Sequence, residues 1–288
     1  MSLAADVRHT SKLKHPWVLQ NLPTYRPVAR KLMMLTSHED VPLSKVQEVL
    51  RTDAAFTADV LRLANSPLIG LRAPVTSVLH AVMVLGLERM KGLATTLALR
   101  AFLTTGVPTE ALKACWRHNL ATAVICEKLA RFLQIEPDLC YTAGLLHDIG
   151  RLALLRASPD QYEHIFSIDP DGGFNLLEIE KSLFEIDHCE AGRVILEQWE
   201  FPREMRELVA RHHHEPTADS SNLARIVYAG WQIADLLGFS ALNRPIAGKI
   251  EAIASVLPPT ARQKLLEEFD SLAEEIAFKI NAIECSLV

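Results

Sequence analysis

The strongest chemical signal in the sequence is an adjacent histidine and aspartate inside an apolar stretch. His147 and Asp148 lie within 141–155, where nearly every other side chain is apolar or small, and Arg151 follows them. A segment that is apolar on all sides predicts one buried helix. An ionised carboxylate in such a helix must be paired, hydrogen-bonded or bound to a cation, because burying an isolated charge is costly. Asp148 therefore needs partners from elsewhere in the chain.

His118 is the first candidate partner. It lies in the apolar stripe of a helix predicted over 109–134, so its side chain should point inward. Metal sites in helical bundles are built from inward side chains of several helices, and imidazole with carboxylate suits Fe, Mn, Zn or Ni. A metal site formed by His118, His147 and Asp148 is therefore one reading. A buried hydrogen-bonded network of the same residues without a metal is the other, and the sequence leaves both open.

Other possible sites have weaker support. The run at 212–214 is His-His-His, but histidines at a helix end are also favoured by the partial negative charge there. Cys189 stands beside His188, yet nothing in the sequence supplies the base and orienting group that a thiol nucleophile requires. The loop at 169–173 lacks the ligand and glycine positions of a calcium-binding EF-hand, so we expect a turn there. No phosphate-binding P-loop or GxSxG motif occurs.

The composition narrows the range of partners and compartments. The 288 residues contain 30 basic and 35 acidic side chains, a formal net charge of -5, with no basic run to bind a phosphate backbone. We therefore expect no nucleic-acid partner. No apolar run is long enough to span a bilayer, and the five cysteines form no CxxC pair. These features predict a cytoplasmic protein without a membrane segment.

The elements that must position the polar residues are all predicted to be helices. Apolar residues recur at helical spacing throughout, with caps predicted at Asp53, Asp187 and Asn222 and no convincing strand pattern. Further helices are predicted over 246–257 and 260–283. The turn residues at 104–108 are the best internal boundary, so we predict an N-terminal helical part over 1–107. The second part, 108–288, includes a C-terminal helical extension.

The joint pattern resembles a known family. Trp116-Arg117-His118 followed by His147-Asp148 looks like the start of the H…HD…D signature of the HD metal-dependent phosphohydrolase superfamily. More closely, the chain resembles the HDOD (HD-related output domain) family of bacterial signalling proteins. The matching stretches are 22–35, 52–71, 74–89, 116–118, 143–154, 187–199 and 212–216. The resemblance implies an all-α fold in which an N-terminal helical bundle packs against a C-terminal HD-like helical bundle.

The resemblance also indicates which residues are missing for catalysis. Aligning 223–238 with the helix that carries the final Asp of the signature puts Trp231 at that position, and the indole cannot bind a metal. Asp235, one helical turn further on, is a substitute candidate. The cyclic-dinucleotide phosphodiesterases related to the family carry a Gly-Tyr-Pro motif after His-His-Glu, whereas this chain continues with Pro216. The additional metal or phosphate ligands that we consider are His188, His212, His213 and Asp235.

These features favour a signalling domain that acts through contacts with other signalling proteins and has lost hydrolytic activity. No residue is assigned a catalytic role. The enzyme alternative is a metal-dependent phosphohydrolase acting on a phosphoester or nucleotide, with His118, His147 and Asp148 binding the ion that activates water. A third alternative is a pocket that binds a small ligand without turning it over. The identity of the partner is not encoded, and a homo-oligomer is left open.

Overall fold

The computed structural model describes residues 16–20, 25–35, 41–67, 69–104, 109–168, 175–241 and 248–286. Within these residues the chain is built from helices and contains no β-strand. The all-α prediction is thereby confirmed. None of the helices in the described ranges is long and apolar enough to cross a membrane.

The helices are labelled in chain order, after a short 3-10 turn at Trp17–Leu19. The first part of the chain contains α1 (Pro27–Met34), α2 (Leu43–Arg51), α3 (Ala54–Ala64) and α4 (Val78–Thr104). The middle contains α5 (Glu110–Leu133), α6 (Pro137–Leu146), α7 (Ile149–Ala157), α8 (Pro159–Ile168) and α9 (Leu176–Phe184). The last part contains α10 (His188–Gln198), α11 (Arg203–Arg211), α12 (Asn222–Leu236), α13 (Ile250–Ala254) and α14 (Pro259–Ser286).

Local sequence signals fix most helix starts. Asp53 accepts a hydrogen bond from the amide of Phe56 at the start of α3, and Asp187 accepts one from the amide of Glu190 at the start of α10. Both predicted caps are confirmed, because a side-chain oxygen satisfies an amide that has no partner in the first helical turn. The third predicted cap, Asn222, is wrong by one residue. The cap of α12 is Ser221, whose hydroxyl accepts from the amide of Ala224.

Helix α5 lies at the centre of the second part of the molecule, against α6, α12 and α14. Small residues allow the close packing. A Cβ on Gly144 of α6 would lie 2.9 Å from Sγ of Cys126, and one on Gly230 of α12 would lie 2.7 Å from the same atom. Neither position has room for a side chain, so α5 can hold its two neighbours at short range. This packing brings His118, on α5, close to the ends of α6 and α12.

The single buried helix predicted over 141–155 is wrong. The segment is two helices, α6 and α7, and His147 and Asp148 form the junction between them. The imidazole of His147 donates from Nδ1 to the carbonyl oxygen of Gly144 at 2.7 Å, in the last turn of α6. The carbonyl of Asp148 then accepts the amide of Arg151 at 3.0 Å and begins α7. The break releases adjacent side chains from helical spacing, so both can face the same centre.

Helices α7 and α10 cross at a glycine of each helix, Gly150 and Gly192. A Cβ on Gly150 would overlap the carbonyl oxygen of His188, and a Cβ on Gly192 would come within 2.6 Å of a methyl group of Val209. The crossing places the first residue of α10, His188, directly beside the start of α7. Gly150 is therefore required by the close approach of the two backbones, and Gly192 by the contact with the Val209 side chain.

The two predicted C-terminal helices have different bounds in the structure, and two predicted loops lie largely outside the described residues. The helix predicted over 246–257 is limited to Ile250–Ala254, and the final helix runs to Ser286. The predicted boundary at 104–108 lies, apart from Thr104, outside the described residues, as does the loop at 169–173. The division into 1–107 and 108–288 stays a prediction.

Candidate metal centre

His118 and His147 face each other through their Nε2 atoms, which lie 3.2 Å apart. Each ring uses Nδ1 elsewhere: His118 Nδ1 lies 2.9 Å from the carbonyl oxygen of Phe239, and His147 Nδ1 lies 2.7 Å from that of Gly144. A carbonyl oxygen can only accept, so each Nδ1 carries its proton and each neutral ring has a lone pair at Nε2. Two lone pairs facing each other require a cation between them, either a proton or a metal ion.

The separation of the two nitrogens fits a metal ion. Two nitrogens bound to one ion at about 2.1 Å lie about 3.0 to 3.4 Å apart for ligand angles between octahedral and tetrahedral. The observed 3.2 Å falls within this range. Asp148 joins the two histidines, with one ligand atom of each of the three residues within 4.8 Å of the others. We call His118, His147 and Asp148 the first donor group.

His212 presents a fourth donor atom to the same place. Its Nδ1 donates to the carbonyl oxygen of Val209 at 2.8 Å, which leaves the lone pair at Nε2. That Nε2 lies 3.9 Å from Oδ1 of Asp148. Both atoms are buried, and neither has a hydrogen-bond partner among the described residues. Two ligands on opposite sides of one ion are about 4.2 Å apart, so an ion next to Asp148 Oδ1 would satisfy both atoms.

A shared proton satisfies fewer of these atoms. Burial opposes a charge on His118, but the carboxylate of Asp235 raises its pKa, whereas burial lowers the pKa of His147 well below its ordinary value. A proton on His118 Nε2 would therefore be donated to His147 Nε2. That arrangement leaves His212 Nε2 without a hydrogen-bond partner and leaves Asp148 Oδ1 with only the ion-pair contact to His188 Nε2 at 3.5 Å. The donor set fits a divalent transition metal better than a network of protons.

Asp235 lies on the other side of the His118 ring. Its Oδ1 is 3.0 Å from Nδ1 of His118, while the Nε2 atom of the same ring faces His147. The Nδ1 proton is donated to the carbonyl oxygen of Phe239, and the adjacent Asp235 carboxylate adds a negative charge that increases the basicity of Nε2. In this arrangement Asp235 acts on a ligand by its charge and lies on the side of the ring away from the paired Nε2 atoms.

Asp148 is held by a buried cation from the first turn of α7. Nε of Arg151 lies 2.9 Å from Asp148 Oδ2, and both side chains are almost fully buried. Burial opposes the charge on Asp148, but Arg151 outweighs it and holds the pKa of the carboxyl group well below its ordinary value. Asp148 is therefore ionised and has one oxygen paired with Arg151.

His188 belongs to a neighbouring set of side chains. Its Nδ1 lies 2.6 Å from Oε2 of Glu180, and its Nε2 lies 2.9 Å from Nε2 of His213. Glu180 is itself fully buried and accepts a hydrogen bond from the hydroxyl of Tyr162. Burial opposes a charge on His188, but Glu180 raises its pKa to about 10. His188 is therefore positively charged at neutral pH and can donate to His213 while no metal is bound.

Cys189 completes what we call the second donor group, His188, Cys189, His212 and His213, whose ligand atoms lie within 4.8 Å of one another. The Cys189 Sγ atom is 3.9 Å from Nδ1 of His212. Burial opposes ionisation of the thiol, but His188 and then His212 favour it and lower the pKa of Cys189 to about 6. Zinc and iron bind such sulfur and nitrogen donors.

A cavity of about 340 Å³ opens onto both donor groups. The residues that line it include Leu176, Leu177, Trp231 and Arg151. The Trp231 ring lies edge-on to His213 with centroids 5.0 Å apart, and its N–H donates to the carbonyl oxygen of His212 at 3.1 Å. Trp231 therefore both shapes the cavity and fixes the turn that carries the two histidines.

All seven residues considered from the sequence as metal or phosphate ligands line this cavity: His118, His147, Asp148, His188, His212, His213 and Asp235. His214, the third histidine of the run, is exposed. Sequence reasoning did not find Glu180, although a signal was present. Glu180 lies one turn before Phe184 and one turn after Leu176, on the apolar side of α9, where a carboxylate needs a buried partner.

An all-α fold with a histidine and aspartate centre at a helix junction defines an HD-type domain. The chain belongs to the HDOD domain family, whose family model matches residues 22–215. The earlier resemblance to this family is confirmed.

Solved structures agree with the fold. An HDOD domain protein of unknown function from Geobacter sulfurreducens has a TM-score of 0.77 at 22% identity, over 91% of this chain and 93% of that chain. A proposed phosphohydrolase from Shewanella amazonensis SB2B has a TM-score of 0.70 at 24% identity, and the match covers 95% of this chain and 99% of that chain. A proposed signal transduction protein from Marinobacter aquaeolei VT8 has a TM-score of 0.71 at 22% identity, and the match covers 92% of this chain and 60% of that chain. At these identities the similarity establishes the fold.

One curated relative, an uncharacterized protein of Treponema pallidum (strain Nichols), is 21% identical over 202 residues. The match covers 69% of this chain and 39% of the relative. The chain therefore spans about two fifths of that protein's length.

Proposed function

We propose that this HDOD domain is a signalling domain that acts through contacts with other signalling proteins. Its HD centre is retained as a binding site for one or more divalent transition-metal ions, Fe, Mn, Zn or Ni, and does not hydrolyse phosphoesters. Membership of the HDOD family supports the signalling role. The metal site is supported by the convergence of unpartnered donor atoms at Asp148 Oδ1 and His212 Nε2.

The observation that carries the loss of hydrolysis is the position of the carboxylates. The alignment of this sequence with the HD signature puts Trp231 at the position of the final Asp, and the indole, which lines the cavity, cannot bind a metal. Asp235 meets His118 at Nδ1, away from the paired Nε2 atoms. The centre therefore has one carboxylate, Asp148, at the convergence of donor atoms. That carboxylate already pairs with Arg151, which leaves no second carboxylate to position water for attack.

A direct assay separates binding from turnover. Protein loaded with Mn, Fe, Zn or Ni is tested for hydrolysis of bis(p-nitrophenyl) phosphate, nucleotides and cyclic dinucleotides, beside His147→Ala. We expect metal in the wild-type protein, none in the variant and no difference in hydrolysis between them. Metal-dependent turnover that disappears in Asp148→Ala would overturn the non-hydrolytic proposal.

A metal-dependent phosphohydrolase is the second candidate, and the cavity is the observation that favours it. About 340 Å³ is at the lower end of the range for small-molecule sites, and the cavity opens onto both donor groups and Arg151. A divalent ion there would act as a Lewis acid toward a phosphate oxygen and lower the pKa of water. The guanidinium of Arg151 would pair with the phosphate, and the wall at Leu176 and Leu177 would exclude water. Turnover in the assay above would select this candidate.

A further inference from the structure

The two oxygens of Asp148 have different surroundings. Oδ1 lies 3.9 Å from Nε2 of His212, and these two buried atoms have no hydrogen-bond partner within the described chain. Oδ2 lies 2.9 Å from Nε of Arg151. A carboxylate that bridges two metal ions through both of its oxygens gives one oxygen to each ion. Asp148 has one oxygen for such a bridge, because the other is paired with a guanidinium.

The metal-binding nitrogen atoms next to that guanidinium also have close contacts. The NH2 group of Arg151 lies 3.3 Å from His188 Nε2, and the same Nε2 lies 2.9 Å from Nε2 of His213. His188 Nε2 also lies 3.5 Å from Asp148 Oδ1, the oxygen assigned to the first ion. A second ion bridged to the first through both oxygens of Asp148 would need Asp148 Oδ2 and His188 Nε2 together. Both atoms face Arg151, which is 4% exposed and belongs to the first turn of α7. The guanidinium thus occupies the position beside Asp148 Oδ2 that such a second ion would take.

We propose that Arg151 takes the place of a second metal ion, so that the centre binds one divalent ion at the first donor group and excludes another at the second. The inference rests on the metal site of the proposed function. The bound ion lies among His118 Nε2, His147 Nε2 and Asp148 Oδ1. The guanidinium provides the second positive charge, on the opposite side of the Asp148 carboxylate. Its planar fork suits this role, because it is always protonated and pairs with a carboxylate.

Removal of the Arg151 side chain should raise the number of bound ions. Methionine has a similar length and no charge, so Arg151→Met would free Asp148 Oδ2 and His188 Nε2 and remove the repulsion against a second cation. The full chain is loaded with Mn²⁺, freed of excess ion by gel filtration, and analysed for metal per chain by elemental analysis. Low-temperature electron paramagnetic resonance of the same samples distinguishes isolated Mn²⁺ from a coupled pair. Circular dichroism establishes that each variant is folded, and Arg151→Gln replaces Arg151→Met if the latter is not.

We expect one ion per chain and an uncoupled spectrum for the wild-type protein, and two ions with a coupled spectrum for Arg151→Met. Arg151→Lys keeps the positive charge and should stay at one ion. His188→Ala alone should also stay at one, while the double variant Arg151→Met/His188→Ala should return from two to one. The second ion should bind at least tenfold more weakly to the wild-type chain than to Arg151→Met.

The other possible results would overturn either the role of Arg151 or the metal site itself. Two ions in the wild-type chain, or one ion in Arg151→Met, would overturn the role of Arg151 while leaving the metal site in place. A second ion that persists in Arg151→Met/His188→Ala would place it outside the second donor group and would also overturn the inference. No ion in the wild-type chain would overturn the metal site itself, and the inference with it.

Discussion

Replacing Asp148 with asparagine should reveal how strongly the centre depends on one buried charge pair. Asp148 and Arg151 are both almost fully buried and lie 2.9 Å apart between Oδ2 and Nε. Asparagine has nearly the same shape but no charge, so Arg151 would stay buried without a counter-charge. Removing one partner of a buried ion pair costs about 3–5 kcal/mol. We expect the lower end of that range, because the asparagine amide oxygen can still accept from Arg151.

The expected shift in melting temperature follows from the size of the chain. An unfolding entropy of about 2.1 cal/mol/K per residue gives about 0.6 kcal/mol/K for 288 residues. A loss of about 3 kcal/mol therefore corresponds to a decrease of about 5 °C. The measurement is thermal and urea unfolding in EDTA, so that loss of a metal ligand does not contribute. In the presence of Mn²⁺ the difference should be larger, because the wild-type protein alone is stabilised by the ion.

The chain offers a matched control. Glu190 and Arg193 have the same spacing of three residues on α10, but their side chains are 44% and 32% exposed. Glu190→Gln should change stability by less than about 0.5 kcal/mol, because exposed ion pairs contribute little. In addition, Asp148→Asn/Arg151→Met should be more stable than the sum of the two single changes, with a coupling of about 2 kcal/mol. Equal losses for Asp148→Asn and Glu190→Gln in EDTA would refute the reasoning.

Three further changes probe the surroundings of the centre. Glu180 raises the pKa of His188 from 6.5 to about 10, so the pair's contribution to stability is complete below about pH 6.5 and is lost as the pH rises through 10. In metal-free protein the urea midpoint should fall between pH 7 and 10, and an equal fall in Glu180→Gln would contradict this. Gly150→Ala places a Cβ against the carbonyl oxygen of His188 and should lower the free energy of unfolding by about 1–3 kcal/mol while weakening Mn²⁺ binding. An unchanged melting temperature would argue against the close helix crossing. Trp231→Phe removes the hydrogen bond to the carbonyl oxygen of His212 and should lower the free energy of unfolding by about 1 kcal/mol. Urea titration measures this change. A variant as stable as the wild-type protein would show that the hydrogen bond contributes nothing to stability.

Features that depend on neighbours in sequence could be predicted. The caps at Asp53 and Asp187 depend on one side chain and the next helical turn, and both are present. The inward position of His118 follows from the apolar stripe of one helix, and the residue is buried. The all-α class and the HDOD resemblance likewise depend on patterns repeated along the chain.

Features that depend on contacts between residues distant in sequence could not be predicted. The break between α6 and α7 arises because the His147 side chain bonds the carbonyl oxygen of Gly144, a competition that apolar periodicity does not reveal. Asp235 was considered as a ligand from its place on a helix, but its role depends on which face of the His118 ring it meets. The pairing of Glu180 with His188 joins α9 to the start of α10 and required the folded arrangement.

Anomalous diffraction from crystals of Mn²⁺-loaded protein tests the metal site most directly. We expect one strong peak per chain, about 2.1 Å from Nε2 of His118 and His147 and close to Oδ1 of Asp148. We also expect the guanidinium of Arg151 on the other oxygen of the same carboxylate. A map without a peak at this position would contradict the metal site, because the two imidazoles would then be joined by a proton. A pair of peaks bridged by Asp148 would instead contradict the single-ion centre.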